Sequence, residues 1–346
     1  MPYLQLPDGL PLYYEEHGAG KPILLLPGWT VTTGFWQRQI ADLSRDHRVL
    51  TFDLRGAGAS GKTPDGHTLS GYAADLAGFL TAKKLENVTL VAWAMGVSVS
   101  VHYLAAFGTE RVSRFVWVDH SPRFFANPDW PFALSGDFSP QALDATLHQL
   151  RHDRRAATLE MIKIMFPNGL SESEEEWMYG EMLKTPTEVA ITMLAAVAGT
   201  DLRPLLPRLK LPVLLVNGTR SAVPYKVGEW LEDHLPDGRC LVLKAPATPP
   251  TGTPQTASMA ELGSSLRRRC EKLPTGRVVI HVVNVGKNAS DLDGALGLVR
   301  SFEQKSIVSA NSGRQFSKFG TVRPRVQIPG PRPVSEFRWC ARIQLT

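Results

Sequence analysis

Val88-Thr89-Leu90-Val91-Ala92-Trp93-Ala94-Met95-Gly96-Val97 is an apolar run that ends in a corner of small residues and opens into a helical pattern carried by Val97, Val101 and Leu104. A continuous apolar run of this kind suits a strand covered on both faces, and the change from strand to helix across Ala92–Gly96 demands a tight turn. The same alternation recurs around it. Pro22–Leu26, Arg48–Phe52 and Phe115–Val118 read as buried strands, and the stretches carrying Phe35, Trp36, Ile40 and Leu43, then Tyr72, Leu76, Phe79 and Leu80, keep helical spacing. Strands alternating with helices at this interval predict an α/β protein with a mostly parallel, doubly wound sheet. At the N-terminus, Leu10–Gly18 reads as a strand closed by Gly18-Ala19-Gly20, so a hairpin with Pro22–Leu26 is expected.

Charge divides the chain. The net charge of +5 is the sum of +9 over residues 245–346, with 15 Lys+Arg and 6 Asp+Glu, and −4 over the residues before them. No aromatic-interleaved basic motif accompanies the tail's charge, which argues against nucleic-acid binding. No run approaches the ~20 apolar residues of a membrane span. Met1–Gly9 has neither a basic n-region nor an apolar h-region, so a cytosolic address is expected. Cys240, Cys270 and Cys340 are too scattered for a disulfide framework or a metal site, and no metal or cofactor is expected.

Five ordered blocks carry a resemblance. Leu24-Leu25-Leu26-Pro27-Gly28-Trp29, the turn Asp53-Leu54-Arg55-Gly56-Ala57-Gly58-Ala59-Ser60, the corner at Ala94, Val118-Asp119-His120-Ser121-Pro122 and Leu211-Pro212-Val213-Leu214-Leu215-Val216-Asn217-Gly218 resemble the α/β-hydrolase superfamily. Within it they are most similar to the cofactor-free chloroperoxidase and esterase branch. The resemblance covers residues 1 to about 244 and implies a core over 1–122 and 206–244, with a helical cap over 123–205. By descent it implies a hydrolase of esters or lactones of an apolar small molecule.

In that family the corner is a Gly-x-Ser-x-Gly nucleophile elbow. Here Ala94 stands in the serine slot and Ala92 in the first glycine slot, while Gly96 is kept. A methyl group is not a nucleophile, so the chain as written is expected to lack serine-hydrolase activity. The resemblance implies an oxyanion hole made by the backbone N–H groups of Trp29 and Met95, which survive side-chain change. The usual acid slot after Gly218 offers no carboxylate and holds Ser221. Some branches carry the acid after the sixth strand, which is Asp119 here, and Asp119 reads equally as a residue capping its turn.

The triad histidine has no counterpart between Lys244 and Thr256, where the family pattern is Gly-His-x-x-x-Trp-Asp/Glu-x-Pro. His17, His47, His67, His148, His152 and His234 read as solvated. His102 lies behind the corner, His120 follows Asp119, and His281 sits in an apolar run. Back-translation of Ala245–Met259 read two nucleotides forward permits a family-like Gly-His and Trp-Asp ending, so a change of reading frame near Ala245 is expected. Residues 245–346 then form a basic tail without a packed core. The other reading is a C-terminal module with a strand over Arg277–Val285 and a helix over Leu292–Phe302.

The stretch 123–205 is rich in Phe, Trp and Met, including Phe124, Met161, Ile164 and Met165. These side chains serve either to seal cap against core or to line an apolar pocket, for which Trp93, Trp130, Phe132, Phe166 and Trp177 are the candidate ligand contacts. The alternative to hydrolysis is binding, lyase or cyclisation chemistry in that pocket, using the oxyanion donors without a serine.

Overall fold

The computed structural model describes residues 2–166, 169–243, 279–285 and 338–344. The frame change expected at Ala245 and the helix over Leu292–Phe302 lie outside the described residues. Two compact units are distinguished, and all but two strands belong to the first.

The first unit is built on an eight-stranded sheet. Its strands are β1 (Tyr3–Gln5), β2 (Pro11–His17), β3 (Pro22–Leu26), β4 (Arg48–Phe52), β5 (Val88–Trp93), β6 (Val112–Val118), β7 (Val213–Gly218) and β8 (Gly238–Leu243), in spatial order β1-β2-β4-β3-β5-β6-β7-β8. From β4 to β8 every neighbouring pair is parallel, and β2 runs antiparallel to β1 and β4. The expected hairpin between the first two apolar stretches is corrected here. β2 turns back on β1, and β3 pairs instead with β4 and β5. The physical reason is burial: Ile23, Leu24, Leu25 and Leu26 are all covered, which a central strand with parallel neighbours on both sides provides and a β2–β3 hairpin does not.

Helices α1 (Gln37–Leu43), α2 (Leu69–Ala82), α3 (Met95–Phe107) and α8 (Lys226–His234) connect the strands of the sheet. Between β6 and β7 the chain inserts α4 (Pro140–His152), α5 (Arg154–Met165), α6 (Glu172–Leu183) and α7 (Thr187–Ala198). Capping residues set their starts: Ser139, Asp153 and Ser171 each accept from an amide three residues on, and Ser171 with Glu174 forms a capping box. One core runs through both groups of helices, from Phe52 and Phe79 to Leu150, Met182 and Met193.

The second unit contributes the antiparallel pair β9 (Val279–Val285) and β10 (Arg338–Gln344), in register from Val279 opposite Gln344 to Val285 opposite Arg338. β9 falls within the span read above as a strand of a C-terminal module.

Candidate active site

The corner between β5 and α3 is sharp. Ala94 adopts φ 49°, ψ −124°, a conformation that L-residues adopt only under strain. It is held on both sides, because Ala94 N donates to Val118 O at 3.1 Å and Val97 N donates to Ala94 O at 2.9 Å. Gly96 is required by contact: a Cβ there would lie 2.7 Å from both Leu26 O and Pro27 O. The missing side chains at residues 28 and 96 let β3, its following loop and α3 meet, and the methyl of Ala94 points into the space where they do.

The loop after β3 brings Trp29 to the same place. Asp53 fixes this loop, its carboxylate accepting from Thr33 N and Ala59 N, each at 2.7 Å. The glycine-punctuated turn follows from that grip, since Gly58, at φ +50°, leaves no room for a Cβ beside Asp53 Oδ2. On its other side Trp29 is tied to α7, its Nε1 donating to Ala190 O at 2.7 Å. Neither Trp29 N nor Met95 N has an acceptor among the described residues. Met95 N is also the first free amide of α3, where the helix dipole favours negative charge.

A cavity of about 520 Å³ opens over the corner. Trp29, Trp93, Ala94, Met95, Asp119, His120 and Ser221 line its floor. Its roof is drawn from α4, α5 and α7, with Ala142 and Ala145, Met161, Ile164 and Met165, and Leu194 and Val197. Four candidates from the sequence lie elsewhere. Trp130 is buried against Phe132 and Trp230, with ring centroids 5.0 and 4.9 Å away, and its Nε1 donates to Arg123 O. Phe166 packs at the end of α5, and Trp177 is 39% exposed on α6, 5.2 Å from Phe35. These rings pack between elements away from the cavity, whose aromatic lining comes instead from Trp29, Trp93, Phe124 and Phe138, with Met, Leu, Ile, Val and Ala side chains beside them.

Asp119 sits one residue past the strand pair that grips the corner, its N donating to Val216 O at 2.9 Å, and at φ 49° it too is strained. No turn amide among the described residues donates to its carboxylate. One oxygen accepts from the Ser221 hydroxyl, itself oriented by Val223 N at 2.9 Å, and Oδ1 is buried without a partner. Burial pushes the carboxyl up to about 6, and the Ser221 bond offsets part of that.

His120 is the one histidine among the described residues that lines the cavity. Its Nε2 lies 2.7 Å from Ser98 Oγ, one turn along α3 from the corner. Ser98 has no other acceptor among the described residues, so its hydroxyl donates to Nε2 and the ring proton is assigned to Nδ1. Burial lowers this imidazole to about 3, which keeps it neutral and a weak base. Sequence reasoning gave no role to Ser98, and only its i+4 spacing from Ala94 hinted at one. His67 corrects the reading of the polar histidines as solvated: it is buried, bonded to Tyr72 Oη at 2.9 Å and Thr63 O at 2.7 Å.

Comparison with known proteins agrees with this geometry. The family described as the alpha/beta hydrolase fold matches residues 21–245. The chain belongs to the α/β-hydrolase family. Among its relatives in the family, a putative non-heme chloroperoxidase of Synechocystis sp. is 29% identical over 230 residues, 61% of this chain and 78% of that one. A pimeloyl-[acyl-carrier protein] methyl ester esterase of Nitrosomonas europaea is 25% identical over 67% of this chain and 90% of its own. The crystal structure of a bromoperoxidase from Bacillus anthracis superposes with a TM-score of 0.65 at 26% identity, covering 70% of this chain and 91% of that one. This α/β-hydrolase thus has esterase and haloperoxidase-like homologues. Among its described residues no helix is long and apolar enough to cross a membrane, and no cluster of three or more His, Cys, Asp or Glu side chains could hold a metal.

Proposed function

We propose that this α/β-hydrolase has left serine-hydrolase chemistry and binds an apolar carbonyl compound, its oxygen held by the amides of Trp29 and Met95 and its hydrocarbon under a cap formed by residues 123–205. The observation that carries the reading is Ala94 in the strained corner, with two amides beside it that have no acceptor among the described residues and no nucleophile on it. The geometry that aims a serine is present, and the group that would form an acyl-enzyme is absent.

Loss of the base supports the same reading. His120 is spent on Ser98, and no other histidine among the described residues lines the cavity. The unpartnered Oδ1 of Asp119 supports its reading as the acid of the ancestral triad over its reading as a turn cap, because a cap would be bonded to the turn. Residues 1–122 and 206–244 then make the core, and 245–346 lie beyond the hydrolase part.

Fluorescence of Trp29 and Trp93, both on the cavity wall, reports binding. Titration with p-nitrophenyl butyrate should give saturable quenching, while release of p-nitrophenol stays at the level of the buffer. Fast release with a burst would sink the proposal, since it requires a covalent intermediate that Ala94 cannot form.

A further inference from the structure

We propose that the cavity catalyses enolisation: Asp119 takes a proton from the carbon next to the carbonyl of an apolar ketone, while the amides of Trp29 and Met95 hold the oxygen as it becomes an enolate. This deepens the function proposed above and rests on its placement of the carbonyl oxygen.

With a methyl at residue 94, the carbonyl carbon faces nothing that attacks it. The oxyanion donors are indifferent to how negative charge arrives, and an enolate oxygen suits them as well as a tetrahedral one. Enolisation then needs a base beside the corner. The cavity is lined by three groups that could take a proton: Asp119, His120 and Glu160. His120 is held neutral and weakly basic, and its Nε2 already accepts from Ser98. Glu160 is exposed on α5, one of the helices that roof the cavity. Asp119 follows directly on Val118, whose carbonyl is bonded to Ala94 N at 3.1 Å, so its carboxylate stands beside the corner.

Its surroundings favour proton uptake. Among the described residues its carboxylate has Ser221 as its one donor, an Oδ1 buried without a partner and no cation lowering it, Arg220 being the cation on the cavity wall, so it is poorly stabilised as an anion. Burial raises it to about 6, so it is ionised at neutral pH yet a stronger base than a solvated carboxylate. The pairing of a carboxylate base with an oxyanion hole, in a pocket lined with apolar groups, is sufficient for proton abstraction next to a carbonyl.

The step balances without a co-reactant. The C–H bond breaks and its electron pair forms the C=C bond. The carbonyl π pair moves to the oxygen at the two amides, and the proton goes to Asp119. Return of the proton to carbon regenerates substrate, and in D₂O it returns as a deuteron.

The test uses the full chain and 2-tetralone in D₂O, with exchange at the carbon between ring and carbonyl followed by proton NMR and binding by tryptophan fluorescence. Exchange should exceed the buffer rate at least a hundredfold, rise with pH to a plateau above about 6, and fall at least tenfold in Asp119→Asn while 2-tetralone still binds. Ser221→Ala removes the hydroxyl that stabilises the anion, so the midpoint of its pH–rate curve should move up; this variant decides the matter if Asp119→Asn does not fold. Bound 2-tetralone exchanging no faster in the wild type than in Asp119→Asn, or an unmoved midpoint in Ser221→Ala, overturns the inference. Failure of 2-tetralone to bind at all would instead defeat the carbonyl-binding reading on which it rests.

Discussion

Ala94 keeps a strained backbone that, in a hydrolase, serves to aim a nucleophile. The positive φ costs ~1–3 kcal/mol for a residue with a Cβ, and here no hydroxyl benefits from it. Glycine accepts the same angles freely, although it raises the entropy of the unfolded chain by ~0.4–1 kcal/mol. Ala94→Gly should therefore stabilise the protein by about 1 kcal/mol, visible as a higher urea midpoint with an unchanged slope. Asp119 makes a pH-dependent counterpart. Its folded carboxyl lies near 6, above the ~3.9 of an unfolded aspartate. Its stabilising contribution is full below ~3.9 and is lost as pH rises through about 6, because the folded state resists ionisation. His120, lowered to about 3, works in the opposite sense: its contribution is full above ~6.5 and is lost as pH falls toward 3. Asp119→Asn should accordingly gain on the wild type between pH 4 and pH 8, by roughly 2 kcal/mol in urea unfolding, and a constant difference across that range would show that the carboxyl is not desolvated.

The strand–corner–helix unit was legible because each of its requirements is written in residue type. Small residues at 92, 94 and 96 and apolar runs on both sides leave one way to turn, and β5, Ala94 and α3 take it. Gly96 is the tightest point, and Gly96→Ala should cost ~1–3 kcal/mol by forcing β3 and α3 apart, measured as a lower urea midpoint. The inserted helices were legible as helices but not as a lining. Trp130, Phe132, Phe166 and Trp177 have the size and apolarity of pocket residues, yet size also makes them the best seals, and composition alone does not separate the two uses. Met161, Ile164 and Met165 reach the cavity because α5 presents that side to it. That orientation depends on where α5 crosses the sheet, which no local signal specifies. The misread hairpin has the same origin: β2 and β3 are adjacent in sequence, but the sheet places β4 between them.

At the scale of the whole molecule, on the reading proposed above, the first 243 residues hold nearly every part of a hydrolase except the two side chains that move the proton and attack the carbonyl. Triad members act as a unit, and a nucleophile without its base recovers almost nothing, since removing either alone costs about as much as removing both. Ala94→Ser puts back a hydroxyl at the corner, but the imidazole within reach of the cavity is already bonded to Ser98 and is too weak a base at about 3 to take its proton. Ala94→Ser alone should therefore leave p-nitrophenyl ester hydrolysis where the unchanged chain has it, at the level of the buffer. A second change is needed, the replacement of the stretch from Ala245 by a Gly-His-x-x-x-Trp-Asp ending, which supplies an imidazole after β8 and gives Asp119 Oδ1 the partner it lacks. The two changes together should raise turnover at least a thousandfold over either one, with a burst of p-nitrophenol, and Asp119→Asn in that background should remove most of the gain. If Ala94→Ser alone shows the burst, a base other than the missing histidine serves the corner, and His120 freed by Ser98→Ala is the first to try. If the double change stays silent while the chain remains folded, the ending does not belong to this core, and the change of frame expected at Ala245 from the sequence loses its functional meaning.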